Sequence, residues 1–194
     1  ASPWANAQVA EWFGEAPSNL LSCGLTANPD HCTIFHAEET EYWTDVIDAV
    51  RAAHPDSLLI AEVYWDLEWR LQRLGFDHVY DKRLYDRLEH GDAESVFLHL
   101  CADLAYQQGL VRFVENHDEP RAATAFPAGM GRAAAVVALT QPGARLLHDG
   151  QLEGRRVQVP VFLGRGPDEP PDVDLELWYR ALLGVVTQPA LRTG

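Results

Sequence analysis

The chain has 194 residues, 47% hydrophobic and 23% charged, with a formal net charge of −14. This composition is typical of a globular protein with a substantial core, and the negative charge argues against nucleic acid or an anionic membrane surface as a partner. No apolar run approaches the ~18 residues of a membrane-spanning helix, and no secretory signal opens the chain. The three cysteines make an odd, sparse set. We therefore expect a cytoplasmic protein without a membrane span or a disulfide framework.

Residues 1 to 40 carry weak structural signals. They show no sustained hydrophobic period of 2 or 3.6, and turn signals recur at Ala16-Pro17 and Asn28-Pro29. A short strand is predicted over residues 32 to 35. We treat residues 1 to 37 as an N-terminal segment apart from the region that follows.

From residue 38 onward, short apolar strands alternate with helices. The pattern predicts strands over 58–61, 76–80, 111–114 and 144–147, and helices over 41–54, 66–74, 82–108 (in two pieces), 128–139 and 173–186. This alternation indicates right-handed βαβ units that form a parallel sheet covered by helices, an α/β fold. Four strands are too few for a closed eight-stranded barrel, which typically needs ~250 residues.

Two acidic residues stand where predicted strands end. Glu62 follows the strand over 58–61, and Asp118 lies in the polar run 115–119 that follows the strand over 111–114. Each acid taken singly could equally be a solvated group or a helix cap. Because the carboxyl ends of parallel strands meet at one rim, the pair together favours a site in which both carboxyl groups face one cleft.

Two carboxyl groups across a cleft suit glycosidic bond cleavage. One acid must carry a proton for the leaving oxygen, and the other must be ionised to support positive charge at the sugar. We expect burial at a strand end, beside a negative neighbour, to keep one of them protonated. Tyr64, Trp65 and His117 add flat faces and a directional donor suited to gripping a sugar ring.

Three segments resemble the α-amylase superfamily, glycoside hydrolase family 13. IAEVYW (60–65), FVENHDEPR (113–121) and PGARLLHDGQLEGRR (142–156) are similar to its fifth-, seventh- and eighth-strand segments, in the right order and spacing. YDKRLYDRL (80–88) falls where the sixth strand and its helix belong. The resemblance predicts that residues 38–194 form half of an α-amylase-type catalytic barrel, a partial (β/α)8 TIM-type barrel with roughly strands 5 to 8.

The resemblance also implies roles for the two acids. Glu62 would be the general acid/base, and Asp118 would stabilise the oxocarbenium-like transition state of a retaining reaction at α-glucosidic bonds. The expected substrate is an α-glucan or α-glucoside, with no cofactor and no metal at the site.

Four further residues form the predicted substrate-binding group. His117 would donate a hydrogen bond to sugar hydroxyls, and Asn116 would mainly orient the end of the strand. Tyr64 and Trp65 are candidates for stacking on the sugar, although either could equally belong to the core.

The sequence departs from the family in lacking a nucleophile. The family carries an Asp in a Gly-x-Arg-x-Asp segment, which belongs upstream of Glu41, but the only Asp there is Asp30, with no Arg two residues before it. Removing a covalent nucleophile costs orders of magnitude in rate. We therefore expect a fragment of a retaining α-glycosidase or transglycosidase, weak or inactive alone, whose partner could be a missing half-barrel.

Two alternatives remain at this point. The chain could be a non-catalytic derivative that binds carbohydrate or a protein partner, or it could be an inactive truncated product. The missing initiator Met agrees with a processed chain or a piece of a longer protein.

Overall fold

A computed structural model describes residues 42–64, 66–127, 129–160, 163 and 165–189. The segment 1–37, the strand predicted over 32–35, and Trp65 lie outside the described residues. Of the described residues, 42–59 with 73–76 form one compact unit, and 60–72 with 77–189 form a second.

The first compact unit contains one helix, α1 (Tyr42–Ala53), in agreement with the predicted helix over 41–54. Its buried residue is Ile47, which faces Gly75 closely enough that a Cβ on that glycine would lie 3.1 Å from the Ile47 side chain. The Arg51 guanidinium donates a hydrogen bond to the Gly75 carbonyl at 2.8 Å. Gly75 has φ +112°, a conformation that favours glycine.

The second unit contains a four-stranded sheet in the order β1-β2-β3-β4, with every neighbouring pair parallel. The strands are β1 (Ile60–Ala61), β2 (His78–Tyr80), β3 (Leu110–Arg112) and β4 (Ala144–Arg145). The predicted parallel sheet is confirmed, although each strand is shorter than its apolar run. All four strands therefore end at the same rim.

Seven helices of the described chain follow α1: α2 (Glu68–Leu74), α3 (Lys82–His90), α4 (Ala93–Leu100), α5 (Leu104–Gln108), α6 (Ala122–Ala125), α7 (Met130–Thr140) and α8 (Val173–Val186). The stretch predicted as two helical pieces is three helices, because the Asp103 carboxylate accepts a hydrogen bond from the Ala105 N–H at 2.8 Å and begins α5. None of the helices in the described chain combines the length and apolar character needed to cross a membrane.

The main hydrophobic cluster lies beside β3 and its exit. Its buried residues come from α3, from the chain after β3, and from α6, α7 and α8. The rings of Tyr85 and Phe113 stack with centroids 5.8 Å apart, and Val114 and Leu139 are fully buried. This packing fixes the chain that leads into the polar run 115–119.

A buried polar network joins the end of β2 to the end of β3. Arg112 and Asp81 form a fully buried ion pair, and Arg112 also donates to Gln107. His99 Nε2 lies 3.0 Å from Asp81 Oδ2, and the Asp81 carboxylate accepts from the Leu84 N–H at 3.1 Å as the N-cap of α3. Burial lowers the pKa of Arg112 to about 10, so the guanidinium stays charged at neutral pH.

Candidate functional site at the sheet rim

The structure brings Glu62, His117 and Asp118 together at the carboxyl ends of β1 and β3. One side-chain oxygen or nitrogen from each lies within 4.8 Å of the others, and His117 Nε2 is 3.5 Å from Asp118 Oδ1. The two acids thus share one rim, as their positions after parallel strands predict. The role of each residue stays a prediction.

Asn116 sets the backbone that presents Asp118. Its side-chain oxygen accepts hydrogen bonds from the N–H groups of Asp118 and Glu119, both at 2.9 Å. The residue is only 1% exposed, so it shapes the turn from inside. Gln158 reaches across from the loop after β4 and donates to the Asp118 carbonyl at 2.9 Å.

Tyr64 is tied to Glu62. Its hydroxyl donates a hydrogen bond to Glu62 Oε1 at 2.8 Å, and the residue is half-buried. Burial raises the pKa of Tyr64 above its usual range, and the hydrogen bond to Glu62 and the negative charges of Glu62, Asp118 and Glu119 add to the shift. A protonated Tyr64 therefore holds the Glu62 carboxylate in place. Stacking of the Tyr64 ring on a sugar stays a prediction.

The burial expected for one of the two acids is not found in this chain. Glu62 is exposed, and the Asp118 side chain is 54% exposed. Four strands build only part of a rim, and both side chains are exposed at its edge.

A buried charged cluster behind the rim was not anticipated from the sequence. Glu115, 1% exposed, lies with its Oε1 3.0 Å from Arg121 Nη2 and 3.3 Å from His148 Nδ1, without hydrogen-bond geometry to either. Its other oxygen accepts from the Ala122 N–H at 2.6 Å. Arg121 also donates to the Asp149 carbonyl at 2.8 Å, which joins the exits of β3 and β4.

The cluster shifts the titration of its members. Burial raises the pKa of Glu115 to about 7, although the Ala122 N–H and the Arg121 charge act in the opposite direction. Burial lowers the pKa of His148, and the positive charges of Arg121 and His117 lower it further, against the opposing charge of Asp149. The sequence does show an acid, Glu115, and an arginine, Arg121, on either side of Asn116-His117-Asp118. It does not show that these two residues contact His148.

The atoms of Glu62, His117 and Asp118 are also of the types that bind a divalent cation. Exposed carboxylates often lie this close without an ion, because the high dielectric constant of water weakens their repulsion. The expectation that the site uses no metal stays a prediction.

Comparison with known proteins shows which fold carries this site. No protein-family model matches the sequence, and no curated protein matches it significantly. A cyclic α-maltosyl-(1→6)-maltose hydrolase from Arthrobacter globiformis superposes with a TM-score of 0.65 at 20% identity, over 78% of this chain and 38% of that enzyme. A debranching enzyme from Nostoc punctiforme gives a TM-score of 0.60 at 22% identity over 78% and 38%.

An α-amylase from H. orenii superposes with a TM-score of 0.61 at 19% identity, over 84% of this chain and 43% of that enzyme. The chain has the fold of part of an α-amylase-type barrel. The predicted partial (β/α)8 architecture is thereby confirmed. The chain spans only 38% to 43% of the length of these three enzymes.

Proposed function

We propose that this chain supplies one side of a glycosidase site for α-glucosidic bonds. The observation that carries the proposal is the grouping of Glu62, His117 and Asp118 within 4.8 Å at the rim of a sheet with this fold. Structural neighbours include a debranching enzyme soaked with acarbose and a hydrolase in complex with maltose. An α-glucan or α-glucoside is therefore the ligand that fits the rim best.

The two acids divide the chemistry. Glu62, steadied by the Tyr64 hydroxyl, donates a proton to the leaving oxygen as the bond from that oxygen to the anomeric carbon breaks. Asp118 faces the positive charge that develops on the sugar ring, and His117 donates a hydrogen bond to a sugar hydroxyl. Asn116 keeps Asp118 in position by holding its backbone N–H.

The covalent nucleophile has no candidate in the Gly-x-Arg-x-Asp form within these 194 residues. In a retaining enzyme that carboxylate stands about 5–5.5 Å from the acid. Its place would be on the far side of the rim, where a further strand of the barrel would also cover the exposed Glu62. The chain alone therefore turns over unactivated glucans poorly.

A second candidate function is carbohydrate binding without catalysis. It is favoured by one observation, the exposure of Glu62, which removes the low-dielectric surroundings that a proton donor needs. The rim would then only bind the sugar, through His117, Asp118 and the Tyr64 ring.

We expect maltoheptaose to bind the isolated chain, with His117→Ala weakening binding by roughly 3- to 10-fold because it removes a hydrogen bond to the sugar. Asp118→Ala should weaken binding as well, because it removes the carboxylate that faces the sugar ring. Calorimetric titration measures this directly. His54→Ala is a matched control, since His54 is exposed outside the rim-bearing unit, and it should bind like the original chain.

Catalytic competence is tested with p-nitrophenyl α-glucoside and azide. Azide can take the place of the missing carboxylate: a C1–N bond forms, the C1–O bond breaks, and p-nitrophenolate leaves without needing a proton. A glycosidase rim gives azide-dependent release of p-nitrophenolate, lost in Asp118→Asn and kept in Glu62→Gln. Saccharide binding without such release supports the binding function, and absence of both contradicts the two together.

A further inference from the structure

His148 occupies a position at the rim that the predicted site does not use. It follows β4 by three residues, and its Nδ1 lies 3.3 Å from the Glu115 carboxylate, whose chain neighbour is Asn116. The side chain is 28% exposed. Its ring is also close enough to His117 for that residue's charge to act on it. The exits of β3 and β4 thus each carry one imidazole.

The hydrogen bond from Arg121 determines which nitrogen of His148 carries the proton. Arg121 Nη1 and His148 Nδ1 are 2.9 Å apart with hydrogen-bond geometry. A guanidinium can only donate, so Nδ1 must accept and cannot carry a hydrogen. The nearby Glu115 Oε1 would favour a protonated Nδ1, but it lacks hydrogen-bond geometry. The proton of the neutral ring therefore sits on Nε2.

The Nε2–H donor has no protein partner within the described residues. Among the described residues, the hydrogen bond of the His148 side chain uses Nδ1, and the side chain is 28% exposed, so the ring reaches solvent. Burial and the charge of Arg121 lower the pKa of the His148 ring, which favours its neutral form. The result is a donor held in one direction at the exit of β4, beside the exit of β3 that carries His117.

We propose that His148 is a second substrate-contacting residue, which donates from Nε2–H to a hydroxyl of the bound α-glucoside while Arg121 acts as its positioning residue. This inference rests on the proposed function and deepens it. A neutral donor suits a neutral polyol, whereas a doubly protonated imidazole would favour an anion. Arg121 is itself held by the Asp149 and Arg155 carbonyls, so the donor direction is set by buried contacts.

The tautomer is tested first, without any ligand. Long-range ¹H–¹⁵N correlation spectra of the chain at pH 7 should show His148 with Nε2 protonated and Nδ1 bare. In Arg121→Gln this preference should relax toward a mixture of the two tautomers. A protonated Nδ1 in the original chain would overturn the proposal.

Sugar contact is tested by titrating maltoheptaose into His148→Ala and His148→Gln. The alanine variant should bind roughly 3- to 10-fold more weakly, and the glutamine variant should recover most of this loss, because its amide N–H sits where Nε2–H did. His54→Ala should bind normally.

The two proposals fail in different ways. Unchanged binding in His148→Ala, with weaker binding in His117→Ala, overturns the role of His148 and leaves the proposed function intact. A chain that folds but binds no saccharide overturns the proposed function and the His148 contact together. Cooperative thermal unfolding of each variant confirms that it is folded.

Discussion

Replacing Arg112 with methionine should lower the free energy of unfolding by about 3–5 kcal/mol, the usual effect of leaving a buried charge without its partner. The Arg112 and Asp81 side chains are fully buried. His99, which also contacts Asp81, cannot replace the lost charge, because burial and the positive charge of Arg87 lower its pKa to about 4. Urea unfolding followed by circular dichroism measures the loss.

Arg180→Met is the matched control for Arg112→Met. Arg180 pairs with Glu176 at 2.6 Å, but its side chain is 66% exposed, so its removal should change stability by less than about 1 kcal/mol. Adding Asp81→Asn to Arg112→Met should recover part of the loss, because the amide keeps the N-cap of α3 and removes the buried charge. Equal losses in Arg112→Met and Arg180→Met would contradict the assigned importance of the buried pair.

Gly143→Ala should destabilise the chain by roughly 3 kcal/mol or more, from overpacking and from a disfavoured backbone conformation. Gly143 precedes β4 with φ +105°, and a Cβ there would lie 2.4 Å from the Leu110 carbonyl oxygen and 2.9 Å from that of Gln107. These are backbone atoms that cannot swing aside. The β3–β4 pairing must shift, which thermal unfolding would report as a lower midpoint.

Two other glycines distinguish the steric effect of an added Cβ from the effect of a disfavoured backbone conformation. Gly129 has φ +86° but no described atom within 4 Å of an added Cβ, so Gly129→Ala should show only the conformational part, about 1–2 kcal/mol. Gly184 lies inside α8 with similar open space, so Gly184→Ala should stabilise by about 0.5–1 kcal/mol. If Gly143→Ala were no worse than Gly129→Ala, the steric explanation would be wrong.

The sequence predicted helix ends well where a local capping signal exists. The helix predicted over 173–186 is α8 (Val173–Val186), and Asp172 caps it by accepting from the Leu175 N–H at 3.0 Å. The helix predicted from residue 66 begins instead at Glu68. Asp66 adopts φ +62° and its carboxylate binds Arg83, a contact across 17 residues that local pattern cannot predict.

The rim followed from the sequence because strand ends and acidic residues coincide there. Glu62 and Asp118 could be paired from topology alone, since parallel strands end at one edge. The exposure of Glu62, its bond to Tyr64 and the contact of Glu115 with His148 could not be predicted, because they depend on how far each loop bends back over the sheet. The same bends decide which nitrogen of His148 is available.

The short strands determine which unfolding event exposes their amide hydrogens to solvent. Each strand contributes two or three residues, so few main-chain bonds hold it to its neighbours. The pairing of β2 with β3 is stabilised instead by side chains from the helices and by the buried ion pair of Asp81 and Arg112. We therefore expect the amide hydrogens of these strands to exchange with solvent only when the surrounding helices detach as well, in one cooperative unit.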